Sequence, residues 1–142
     1  MHRLTFRALL VLWSAALMVA CGGESDPGPT VPSPVPPPTV SEVFSGEINR
    51  NGAVTHPFLA GDSGNVVATL DSLGPEGIVT NVGLLLGTWN GSSCQTVISN
   101  DNAAQGAFVI GAASIASALC VRIYDVGKIP ELASYQVTVV HP

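Results

Sequence analysis

The chain has 142 residues, 46% of them hydrophobic and 11% charged, which leaves room for one core of ordinary size and excludes a multidomain enzyme. Its 15 glycines and 11 prolines favour a turn-rich β protein over a helical bundle, because both residues interrupt helices and populate tight turns. The formal net charge of −5 still counts Arg3 and Arg7; without them Arg50, Arg122 and Lys128 face ten acids, a surface with no basic patch for nucleic acid or anionic headgroups.

Residues 1–20 follow the layout of an export signal: a basic start at His2, Arg3 and Arg7, an apolar run over 8–19, and small residues ahead of Cys21. The run is too short to span a bilayer comfortably, and no later stretch reads as a transmembrane helix. Met18-Val19-Ala20-Cys21-Gly22 resembles the lipobox of bacterial lipoproteins, with Met18 where Leu is usual and Leu17 one place earlier. That resemblance implies cleavage before Cys21, a diacylglycerol on its thiol, and a new amino group open to acylation. Each buried methylene adds about 0.8 kcal/mol of membrane affinity, so two or three acyl chains hold where one does not. Cys21 is therefore expected as an anchor rather than a reactive thiol; the alternative is an ordinary residue just past a plain secretory cleavage site. Gly22 stands where an Asp commonly signals inner-membrane retention in Gram-negative lipoproteins, which points to the outer membrane if the envelope is of that type.

Residues 21–39 are Gly, Ser, Asp and above all Pro, including Pro36-Pro37-Pro38. Proline fixes φ and donates no backbone hydrogen bond, so this reads as a disordered, extended tether of about 3.1 Å per residue. A docking peptide for a proline-reading partner is the alternative use.

From residue 40 the texture changes to short apolar runs broken by turn formers. Strands are expected over 42–49, 55–59, 66–73, 82–89, 96–99, 107–112, 119–125 and 135–140. Between them lie turn signals such as Asn51-Gly52, Gly61-Asp62-Ser63-Gly64, Gly74-Pro75-Glu76-Gly77 and Asn90-Gly91. Alternation is clearest at the end, with Tyr135, Val137 and Val139 inward and Gln136 and Thr138 outward, and in the third run, with Val66, Ala68 and Leu70 inward. The Ala-rich stretch 110–119 also suits a helical turn or two. The expected fold over 40–142 is all-β, a single antiparallel sandwich of about eight strands, jelly-roll-like.

Cys94 and Cys120 are the remaining cysteines, and in an oxidising compartment such a pair most simply forms a disulfide. Two buried free thiols are the alternative; a zinc site is disfavoured, because neither cysteine has a second ligand at a usual spacing.

With the strands laid out, the domain resembles the bacterial pre-peptidase C-terminal family and related exported β-sandwich modules. The residues carrying the resemblance are Ser45-Gly46-Glu47-Ile48, Val67-Ala68-Thr69-Leu70, Cys120-Val121-Arg122-Ile123-Tyr124-Asp125 and Tyr135-Gln136-Val137-Thr138-Val139. It implies an accessory or binding domain; no catalytic domain precedes it here, so the usual role beside a protease has nothing to attach to.

Catalytic chemistry finds weak footing. Gly61-Asp62-Ser63-Gly64 looks like the nucleophile loop of trypsin-like proteases and opens like the GDSL-hydrolase motif, but a nucleophilic serine needs an oriented base and an oxyanion hole. Only His56 and His141 follow residue 21, and a Gly-Asp-Ser-Gly turn between strands is the simpler reading, so no catalytic residue is assigned. Asn100-Asp101-Asn102 with Asp62, Asp71 and Asp125 offer oxygen ligands for calcium, yet nothing matches an EF-hand loop, and no metal or other cofactor is expected. Trp89 lies at a strand end beside Asn90-Gly91-Ser92-Ser93, where its ring would stack on a sugar or fold over the core along the face of Gly83, Leu85 and Gly87. Core packing is the expectation, with ligand contact the alternative. Asn90-Gly91-Ser92 also fits a glycosylation acceptor that a bacterial lipoprotein is not expected to use, and Tyr124-Asp125 reads as a packing and turn pair. The functional expectation is a lipid-anchored module of the cell envelope, facing the periplasm or the cell surface, that binds an envelope component, glycan or protein. Its alternative is a purely structural or interaction lipoprotein, with a small Ser63/His56 hydrolase a distant third.

Overall fold

In the computed structural model, residues 35–142 are described; the export signal, Cys21 and most of the tether lie outside the described residues. Eight strands follow in order: β1 (Val40–Asn49), β2 (Ala53–Ala60), β3 (Gly64–Gly74), β4 (Val82–Trp89), β5 (Cys94–Ala103), β6 (Phe108–Ala113), β7 (Ser117–Tyr124) and β8 (Leu132–His141). Each covers one of the eight expected runs, mostly with a longer reach. The stretch 110–119 is not helical; it forms the end of β6, a bend and the start of β7.

The strands form two four-stranded antiparallel sheets, β1-β8-β3-β6 (sheet I) and β2-β7-β4-β5 (sheet II). Only β4 and β5 are consecutive strands within one sheet; every other connection crosses from one sheet to the other. That order of eight strands is the jelly-roll arrangement of the β-sandwich.

The turn chemistry explains the crossings. At Asn51-Gly52 the backbone of Asn51 enters the left-handed region at φ 58°, which Asn tolerates, and Gly52 N–H donates to the Asn49 carbonyl at 2.8 Å. In the one hairpin within a sheet, Asn90 Oδ1 accepts from the N–H groups of Ser92 at 3.0 Å and Ser93 at 2.8 Å. Asn90 is thus a turn residue bonded to its own loop.

The core lies between the sheets. In β8, Ala133, Tyr135, Val137, Val139 and His141 are buried and alternate with exposed or half-buried neighbours, as the pattern predicts. In β3, Val66, Ala68 and Leu70 point inward, and a bulge at Asp71 then resets the alternation so that Leu73 is buried as well. From sheet II come Val82, Leu84 and Leu86 of β4 and Leu119, Val121 and Ile123 of β7.

The open side between β1 and β2 is closed by aromatic rings. Phe44 stacks on His56 at a centroid distance of 4.8 Å, Phe58 lies 5.1 Å from His141, and His56 Nε2 is hydrogen-bonded to the Tyr135 hydroxyl at 2.8 Å. His141, only 2% exposed, pairs with Glu42 at 2.9 Å. Burial holds the His56 imidazole below its ordinary range and the Tyr135 phenol above its own.

Candidate functional site

On the outer face of sheet II, β4 contributes Gly83, Leu85 and Gly87, because its odd positions point away from the core. Two of these three have no side chain, and neighbouring strands fill the gaps. A Cβ at Gly83 would fall 2.2 Å from two ring carbons of Tyr124, which is paired with Gly83 across the β4/β7 ladder. The phenol therefore lies over the β4 backbone. A Cβ at Gly87 would fall 2.2 Å from the Gln95 carbonyl oxygen and 3.1 Å from Cys94 Sγ. The start of β5 thus passes over β4 at Gly87 and brings Cys94 to Cys120 of β7, the residue opposite Gly87. The expected Cys94–Cys120 disulfide is present, with Cα atoms 5.8 Å apart.

Between these two coverings the sheet is open. Thr55, Arg122, Leu85 and Ser99 stand in register across β2, β7, β4 and β5. With Tyr124, Thr96, Asp101 and Asp125 they surround a cleft of about 440 Å³, within the size range of small-ligand sites. Leu85 is 6% exposed yet stands apart from the core cluster, and it gives the cleft an apolar floor beside the phenol ring.

The polar groups of the cleft are held in defined positions. The Tyr124 hydroxyl donates to Asp101 Oδ1. Burial, and then the Asp101 carboxylate, push the Tyr124 phenol above its ordinary range, with Ser99 and Arg122 acting in the opposite direction. Asp125 Oδ1 accepts from the N–H groups of Gly127 at 2.8 Å, Lys128 at 2.9 Å and Ile129 at 3.1 Å, and its Oδ2 from Asn51 N–H at 2.8 Å. Desolvation alone would raise this carboxyl; the four backbone donors outweigh it and hold Asp125 below the usual carboxylate range. Asp125 N–H in turn donates to Gly52 O at 2.9 Å, so the Asn51-Gly52 turn and the end of β7 are fastened together at the rim.

Arg122 stands apart. Among the described residues it forms no ion pair within 4.0 Å, and its Nε is buried without a hydrogen-bond partner. An uncompensated donor of this kind costs about 1–3 kcal/mol.

The residues singled out from the sequence fall in several places. Tyr124-Asp125 is a packing and turn pair, as expected, and both members also border the cleft. Trp89 does not pack in the core: it is half-buried at the far end of β4, outside the core cluster, because Tyr124 and the start of β5 already fill the spaces over Gly83 and Gly87. It does not border the cleft either. Ser63 sits in the β2–β3 connection with Asp62 Oδ1 as partner, whereas His56 is bonded to Tyr135 on the far side of Pro57–Ala60, so the two do not form a nucleophile–base pair. The calcium candidates do not converge. Asp62 binds Ser63, Asp71 accepts from Thr138 Oγ1 at 2.6 Å, Asn102 Oδ1 accepts from Asn81 Nδ2 at 2.5 Å, and only Asp101 and Asp125 share the cleft. Among the described residues no group of three or more His, Cys, Asp or Glu side chains is placed to hold a metal.

The cleft is the feature that sequence reasoning missed. Its members come from β2, β4, β5 and β7, and the available signal was the spacing of Gly83 and Gly87 on one strand face, where missing side chains invite something from a neighbouring strand to lie across. No family model matches the chain, and comparison with curated proteins finds no match.

Proposed function

We propose that this chain is an exported, lipid-anchored and non-catalytic β-sandwich module that binds an envelope component, a glycan or a protein, in the cleft on the outer face of sheet II. The observation that carries this reading is where the cleft lies. The chain enters the sandwich at Val40, beside His141, while the cleft rim at Asn51, Tyr124 and Asp125 sits at the opposite end of the strands. Ten residues of β1 separate the two ends, roughly 30 Å at about 3.3 Å per residue. A module held by lipid on Cys21 through a proline-rich tether would present its cleft away from the point where the tether enters. The disulfide fits an oxidising compartment outside the cytoplasm.

Two measurements test the reading. Labelling cells with an alkyne analogue of palmitate is expected to mark the protein and to fail for Cys21→Ala; an unlabelled wild type ends the anchor reading. A photo-crosslinking residue at Ser99, on the cleft, is expected to capture envelope material that the same probe at Gln136, on the other sheet, does not; equal capture at both ends the cleft reading.

The alternative of an interaction lipoprotein without a ligand site draws on sheet I. Its outer face carries Val43, Thr138, Thr69 and Phe108 in one row and Ser41, Val140, Val67 and Ile110 in the next. Phe108 is 57% exposed and Val43 59%, which leaves an uncharged surface suited to a flat protein contact. Capture at residue 136 alone would favour it.

A further inference from the structure

We infer that the cleft on sheet II takes a neutral, hydroxyl-rich ligand, a saccharide, rather than a charged one. This inference names the ligand class of the binding reading above and rests on it.

The argument starts from charge. Asp101 and Asp125 border the cleft on one side and Arg122 on the other, and no ion pair joins them within 4.0 Å. An anionic ligand that reached Arg122 would meet two carboxylates, one of them held in its ionised form by four backbone donors. It would also approach a described surface with few cations, Arg50, Arg122 and Lys128. A cationic ligand that reached the carboxylates would meet a guanidinium that no protein group offsets. A ligand without net charge avoids both costs, provided it supplies donors and acceptors together.

A hydroxyl group does so, since one O–H donates and two lone pairs accept. The rim offers matching groups: carboxylate acceptors at Asp101 and Asp125, donors at Arg122, and hydroxyls at Thr96 and Ser99 that serve either way. A fork of guanidinium donors facing a carboxylate fits vicinal hydroxyls, each bonded to one of the two.

The floor supplies the other half of sugar chemistry. A pyranose is polar at its edge and carries C–H groups on its faces, so a site for it needs an apolar platform inside a polar rim. Leu85 and the Tyr124 ring form that platform. The ring rests against the β4 backbone at Gly83, and its hydroxyl is tied to Asp101, so it is held in place before any ligand arrives.

The test uses the full-length chain purified from membranes in a detergent without a sugar headgroup. Titration calorimetry is run with neutral oligomers of glucose, mannose and N-acetylglucosamine, with oligogalacturonate as the anionic probe and chitosan oligosaccharide as the cationic one. The expected result is saturable binding of at least one neutral oligomer, weakened tenfold or more by Arg122→Gln and by Tyr124→Ala, and unchanged by Phe108→Ser on the opposite sheet. Because Tyr124 packs on Gly83, Asp101→Asn serves as a further variant should Tyr124→Ala fail to fold. Binding of only a charged oligosaccharide, through the same residues, overturns the neutral class and leaves the binding reading standing. Neutral binding that none of the cleft variants weakens overturns the site. Absence of binding to every saccharide overturns the proposal, while crosslinked capture at Ser99 still decides the broader reading.

Discussion

On sheet I the outward side chains stand in regular rows, valine and threonine beside phenylalanine and isoleucine, and nothing from a neighbouring strand folds over them. Sheet II breaks that regularity on its central strand β4, where Gly83 and Gly87 leave gaps that a tyrosine ring and a half-cystine occupy. The first arrangement gives a flat surface with little to orient a small ligand. The second raises material at two points along the sheet and leaves a recess between them, walled by groups drawn from four strands. The contrast teaches that missing side chains on a central strand can shape a binding surface as effectively as side chains that are present.

The largest expected effect comes from removing the clamp on sheet II. Replacing both cysteines, Cys94→Ala with Cys120→Ala, opens a loop of 26 residues, worth roughly 3.5 kcal/mol in the chain-entropy account. Urea unfolding of the double variant, compared with the wild type under reducing and oxidising conditions, is expected to show that loss only in the oxidised comparison. A sandwich equally stable without the bridge would remove the distinction between the two faces.

Glycines on the two sheets should then respond with opposite sign. Gly87→Ala drives a methyl group into the Gln95 carbonyl at 2.2 Å, a backbone atom that cannot swing aside, and is expected to cost about 1–3 kcal/mol. Gly111→Ala on β6 places its methyl 3.7 Å from Leu86, in a gap of about 50 Å³ between the sheets. It is expected to be neutral or to stabilise by about 0.4–1 kcal/mol, since the alanine chain loses less freedom on folding. Thermal melts of the two variants make the comparison.

A smaller effect is expected at the rim. Asp125→Ala leaves four backbone N–H groups without their acceptor; by analogy with capping residues the loss is about 1 kcal/mol. Because the folded-state carboxyl lies below its unfolded value, its contribution is present above the ordinary carboxylate range and is lost as pH falls through the folded value. His56 adds a second acid-sensitive term of the same sign: the fold favours its neutral form, so stability declines as pH drops below the ordinary imidazole range. Stability measured from neutral to acid pH is expected to fall in both windows, and Asp125→Ala is expected to flatten only the lower one.

Much of the fold was legible from residues alone. Tyr135, Val137 and Val139 alternate with polar partners because one face of β8 meets the core and the other meets water, and that two-residue period survives in the sequence. The reach of β5 was not legible beyond residues 96–99, since an edge strand exposed over most of its length carries little apolar pattern. The bulge at Asp71 was hidden for a related reason: it shifts the period by one residue without a Gly or Pro to mark it. The cleft was least legible of all. Asp101 and Tyr124 come together only because sheet order sets β4 between β5 and β7, and Trp89, the more conspicuous aromatic, lies at the other end of the same strand.

The bridge between Cys94 and Cys120 has a consequence for how the molecule matures. It arches over a third strand instead of joining two neighbours, and the two sulfurs approach only where β4 runs beneath them at Gly87. Native oxidation therefore certifies that three strands have already been assembled in the right order. A trapping assay that counts free thiols during refolding would read out completion of sheet II, and with it the moment at which the recess acquires its walls.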